Sequence, residues 1–158
     1  MNAWLLIKTL HILSSVLLVG TGFGSAFYLF FINRTRSVPA IAAVSRLVVR
    51  ADWWFTTPAV IFQPLSGFWL AHRVGWTWDT PWLLAAAALY LLAGLCWLPV
   101  VWIQIRMRHI AAELAAQDAA AFPPAYWRHA RIWEYLGYPA FLAMVAIYFL
   151  MVFKPALY

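Results

Sequence analysis

Lys8 and His11 are the residues whose types and placement most suggest chemistry. They stand three apart at the head of an apolar run, so on a helix they share a face. From Thr9 to Asn33 that run has no acid, Lys or Arg. It is long enough to cross a bilayer, since about 20 apolar residues span ~30 Å of hydrocarbon. An ionisable group in such a helix is costly and marks a functional site by default. An imidazole held there must hydrogen-bond, pair with a charge or bind a metal, and neutral imidazole is the usual protein ligand of b-type heme iron. Two readings of His11 therefore stand side by side. It is a metal ligand that binds heme b, or it is a structural histidine bonded between helices to a hydroxyl or to Asp79. Lys8 either pairs with a propionate of a heme or porphyrin or snorkels to the interface.

Four histidines are present, the others being His72, His109 and His129. His72 is the candidate for a second cofactor and metal ligand. Its alternative is a solvated histidine at the membrane boundary, and it stands several ångströms shallower than His11. His109 and His129 lie among Arg106, Arg108, Arg128 and Arg131 and read as a solvated basic rim. Arg131 and Glu134 are three apart and are expected to form an ion pair, and Asp52 lies close to Arg50. No catalytic residue is assigned. The chain has no His-Glu-x-x-His, phosphate loop, Gly-x-Ser-x-Gly or cysteine pair, and its single cysteine, Cys96, reads as a small buried apolar residue.

The elements that must position these residues follow from composition. The chain is 66% hydrophobic and 10% charged, whereas soluble domains are nearer half apolar and about a quarter charged. A domain of 158 residues cannot hide that excess in one core, so lipid must cover much of it. The expected fold is all-α: one integral membrane four-helix bundle whose crossings fall near residues 4–32, 53–71, 81–105 and 135–153. The first run is read as retained, because no basic segment precedes it and its apolar part continues past the small residues Gly24, Ser25 and Ala26. Gly20 and Gly24 form a notch where another helix, or a flat cofactor, could approach. Pro58 and Pro64 in the second crossing and Pro99 in the third predict kinks. The second and fourth helices begin as basic lead-ins before the membrane, and the third continues in water until Pro123 and Pro124 stop it.

The net charge of +6 is clustered between apolar runs and so speaks of topology, not of nucleic acid. Arg34, Arg36, Arg46, Arg50, Arg106, Arg108, Arg128 and Arg131 fall on one side. Lys8, Arg73 and Lys154 fall on the other. The positive-inside rule puts the larger group in the cytoplasm and both termini outside.

At both ends the chain resembles the HemJ-type protoporphyrinogen IX oxidases. The resemblance rests on Lys8-x-x-His11, on Gly22-x-Gly24-x-x-x-Tyr28, and on Arg131, Glu134, Pro139 and Lys154-Pro155. More closely, the whole chain resembles a bacterial family of predicted integral membrane proteins related to that group. One departure is in the third crossing, where the HemJ group carries a Lys and a His and residues 82–105 have neither. The resemblance implies a multi-pass protein of the bacterial inner membrane that binds heme b, with His11 as the matching ligand or active-site residue. If it is an enzyme, the resemblance implies an oxidoreductase of protoporphyrinogen-oxidase type.

Two functions follow. One is a heme-binding redox protein acting on a porphyrin or quinone, alone, as a homo-oligomer or with a membrane redox partner. The other is a non-enzymatic accessory or assembly subunit in which His11 only bridges helices. A transporter lacks the mid-membrane charges it would use.

Overall fold

The computed structural model describes residues 2–155, and they form helices joined by short turns. The order is α1 (Ala3–Thr35), α2 (Val38–Ala51), a π turn (Asp52–Thr56), α3 (Thr57–Arg73), α4 (Pro81–Ala116) and α5 (Pro124–Phe153). Because α2, the π turn and α3 run on without a break, the chain makes four helical rods. Three helices, α1, α4 and α5, are long and apolar enough to cross a membrane.

Local chemistry sets the ends. Asn2 Oδ1 accepts from the Trp4 N–H at 3.0 Å and starts α1. Arg36, at φ 55°, stops it in the left-handed region. Ser37 is extended, and Pro39 then occupies the first turn of α2, where its missing N–H costs nothing. Gly75, at φ 85°, turns the chain between α3 and α4. The third rod ends at Ala116, about two turns before the Pro123-Pro124 stop that the sequence suggests. Asp118 there takes φ 49°, a conformation Asp tolerates, and Ala119 N–H reaches back to Leu114 O at 3.0 Å.

The π turn has a local cause. Pro58 has no N–H to offer the Trp54 carbonyl, and its ring crowds that position. The bonding shifts there, and Thr57 N–H bonds to Asp52 O, five residues back. Pro64, Pro99 and Pro139 lie inside helices that continue through them.

Packing is uneven along the rods. The buried core gathers at one end, where Leu29 of α1, Ile41 and Val48 of α2, Met107 of α4 and Tyr126 and Trp133 of α5 interlock. Tyr126 O–H donates to Asn33 Oδ1 at 2.8 Å and ties α5 to the end of α1. Toward the other end the rods separate into two pairs, α1 with α3 and α4 with α5. One bridge between the pairs is Tyr90 O–H, which donates to Val60 O at 2.7 Å. Many large apolar side chains, such as Leu13, Leu95 and Phe149, face outward, as lipid contact requires and water would penalise.

Candidate functional site: a cleft between two helix pairs

The separation of the pairs leaves a cavity of about 560 Å³, within the ~300–1,000 Å³ range of small-molecule sites. Its wall is almost wholly apolar. On α1 it runs from Leu18 to Phe31, a rise of about 20 Å at 1.5 Å per residue. Gly22, Gly94 and Gly137 face it, and a Cβ at any of the three would meet no atom within 4 Å. The α1–α5 side is thinly closed. Phe23 stacks on Phe141 at 5.1 Å between centroids. Nearer the packed end, Arg34 Nη1 meets Glu134 Oε1 at 3.5 Å. Outside these contacts and the Tyr126–Asn33 bond in the packed core, the two helices barely touch.

At that end the wall turns polar. Asp52 and Gln104 are both buried and both face the cavity. Thr56 O–H donates to Asp52 Oδ1 at 3.0 Å. The Gln104 amide nitrogen donates to Asp52 Oδ2 at 2.9 Å, and its oxygen accepts from Trp133 Nε1 at 3.3 Å. The neighbours fix this orientation, because the reverse would set donor against donor. The π turn carries both Asp52 and Thr56. A smaller cavity of about 240 Å³ on the α2–α4 side shares Asp52, Trp97 and Gln104 with the larger one, so these residues stand as a partition.

His11 lies elsewhere, two turns toward the N-terminus from Leu18. Its Nδ1 is 2.7 Å from Ser66 Oγ, and Ser66 O–H also reaches Phe62 O at 2.7 Å. If the hydroxyl donates to that carbonyl, Nδ1–H donates to the hydroxyl and Nε2 is left without a proton. The ring lies against Gly67, where a Cβ would come within 3.2 Å of His11 Cε1. One turn further in, Ser14 Oγ and Gln63 Oε1 are buried without partners.

Lys8 is exposed, with its ammonium 4.8 Å from the centroid of its neighbour Trp4. His72 is exposed at the end of α3, six residues or ~9 Å along the helix from Ser66. His11 and His72 therefore sit at different levels. No wall residue of the larger cavity is a histidine or cysteine among the described residues, and no group of three or more His, Cys, Asp or Glu among them could hold a metal ion. Asp79 is in the exposed turn before α4, where a hydrogen bond from Thr77 holds its carboxyl below the usual value.

Three sequence expectations need correction. Glu134 pairs with Arg34 and not with Arg131; the end of α1 brings a guanidinium across to α5, and this is the one ion pair among the described residues. Asp52 is not at the surface beside Arg50 but turned inward onto Thr56 and Gln104. Gly20 and Gly24 pack against nothing, since a Cβ at either would meet open space. Sequence reasoning missed Asp52, Thr56, Gln104 and Trp133 as a unit. The available signal was that Asp52 and Glu134 each stand immediately before an apolar crossing.

The chain belongs to the family described as predicted integral membrane protein (DUF2269), whose profile matches residues 5–155. No curated protein and no solved structure matches it.

Proposed function

We propose that this member of the DUF2269 family is a multi-pass membrane protein that takes a lipid-soluble ring compound, quinone-like or porphyrin-like, from the bilayer and holds it between α1 and α5. The carrying observation is the cavity of about 560 Å³, apolar along its length, polar at one end and thinly closed on the α1–α5 side. Binding sites of this kind are mostly apolar with a few placed polar groups. Lipophile binding needs no water-filled path, which suits a wall with so little polarity.

All four rods cross the membrane in this proposal, with both termini outside and the Asp52 end of the cleft toward the cytoplasm. The eight arginines around that end support the orientation. Pro64 and Pro99 are where the second and third rods would bend. The bacterial inner membrane is the compartment that the positive-inside pattern suits.

A second function, heme b bound by His11, is favoured by one observation. Ser66 engages Nδ1 at 2.7 Å, and a hydrogen bond at one ring nitrogen is what orients the other toward a metal. Lys8 on the same face would meet a propionate, while His72 would need to approach from another level. Porphyrin oxidation is supported by resemblance alone. If His11 only bridges α1 and α3, the heme reading falls, and a non-enzymatic accessory role is the alternative to ligand binding in the cleft.

The test is purification in mild detergent from heme-replete cells, followed by an absorption spectrum and mass spectrometry of the organic extract. A stoichiometric quinone or porphyrin supports the cleft. A Soret band lost in His11→Ala supports heme. A colourless protein whose extract holds only bulk phospholipid overturns both.

A further inference from the structure

Resting on the cleft as a lipophile site, we propose that its polar end selects ligands carrying a hydroxyl donor, a hydroquinone over the corresponding quinone, with the Asp52 carboxylate as acceptor. Asp52 is on the cavity wall and buried. Among the described residues the ion pair is made by Glu134, and no Lys, Arg or His nitrogen lies within 4 Å of the Asp52 carboxylate. A carboxylate has about four lone-pair sites. Thr56 and Gln104 supply one donor to each oxygen, which leaves acceptor capacity on a residue of the cavity wall. A buried charge with unfilled acceptor capacity is costly until a donor reaches it.

The neighbours narrow the choice further. Gln104 has its oxygen committed to Trp133 and its nitrogen to Asp52. An ammonium needs acceptors for three protons, and the pair offers spare capacity on Asp52 alone. A quinone carbonyl brings only lone pairs and would face the carboxylate acceptor to acceptor. A single hydroxyl fits both the count and the polarity. The π turn carries both Asp52 and Thr56, and such turns recur at functional sites.

The experiment uses decylubiquinone and its hydroquinone, kept anaerobic, with the full chain in nanodiscs. Retention is measured against empty nanodiscs by extraction and chromatography. The hydroquinone is expected to bind about tenfold more tightly, as one hydrogen bond to a charged group implies. Asp52→Asn is expected to bring the two forms within about twofold of each other by weakening the hydroquinone. Equal retention of both forms by the unaltered protein leaves the cleft standing and overturns donor selection. Retention of neither form removes the cleft as a site for quinone-like compounds, and this inference with it. The comparison on the unaltered protein decides the matter even if the Asp52 variant does not fold.

Discussion

His11 Nδ1 and Ser66 Oγ, 2.7 Å apart, join α1 to α3, and Gly67 beside Ser66 is the space in which the imidazole lies. A methyl group at Gly67 would press on Cε1 from 3.2 Å, so the side chain and the glycine are one device.

Gly67→Val should therefore lower the thermal midpoint in detergent by more than His11→Ala does. His11→Ala removes one interhelical hydrogen bond, worth on average about 0.6 kcal/mol in membrane bundles. Ser66 keeps its bond to Phe62 O, so nothing new is stranded. Combining His11→Ala with Gly67→Val should recover part of the valine's cost, because the ring it strikes is gone. Scanning fluorimetry of the four proteins checks this. Additive losses would mean that ring and glycine do not interact.

The Asp52–Gln104–Trp133 chain makes the opposite kind of prediction, in which one change is worse than two. Gln104→Leu leaves the Asp52 carboxylate one donor short and Trp133 Nε1 without its acceptor. A loss of about 2–3 kcal/mol follows from stranding buried polar groups. Asp52→Leu with Gln104→Leu removes both members and should be milder, since apolar replacement of a buried polar pair is often close to neutral. Unfolding in mixed micelles reads the difference. A double variant less stable than the single would show that the pair contributes more than its own satisfaction.

How far this was legible in the chain depends on the scale of the pattern. The helices were, because long apolar runs, Pro at helix starts and basic clusters are local signals. His11 was legible as a polar group needing a partner, and a hydroxyl was one of the partners foreseen. Asp52 was not, because its exposure is decided by the π turn that begins at it, by Gln104 from another rod and by Trp133 from a third. The Arg34–Glu134 pair was hidden for the same reason, since helical spacing offers Arg131 as the nearer partner. The cavity leaves no local trace at all. It comes from two helix pairs parting, and Gly22, Gly94 and Gly137 look in sequence like packing glycines.

The partner of Glu134 can be settled by a cycle of substitutions. Arg34 is half exposed at 50% and Glu134 at 25%, so the pair should contribute no more than about 0.5–1 kcal/mol. Arg34→Gln and Glu134→Gln should show coupling of that size, which shrinks as salt is raised. Arg131→Gln and Glu134→Gln should simply add. Coupling to Arg131 in place of Arg34 would relocate the closure of the cleft's polar end.

Filling the cleft should separate binding from stability. Gly137 and Gly94 sit on α5 and α4, the packed pair that forms one side of the cavity, with no atom within 4 Å of where a Cβ would be. Leucine at either position improves helix propensity by up to about 1 kcal/mol and projects into empty space. Most changes at a binding site trade function against stability through lost contacts; here none are lost. Gly137→Leu and Gly94→Leu should therefore keep or slightly raise the thermal midpoint while reducing retained lipophile at least tenfold, because the side chain takes volume the ligand needs. Gly20→Leu, on the open face of α1, should leave retention unchanged. If Gly137→Leu binds as well as the unaltered protein, the space between the helix pairs is not where the ligand goes.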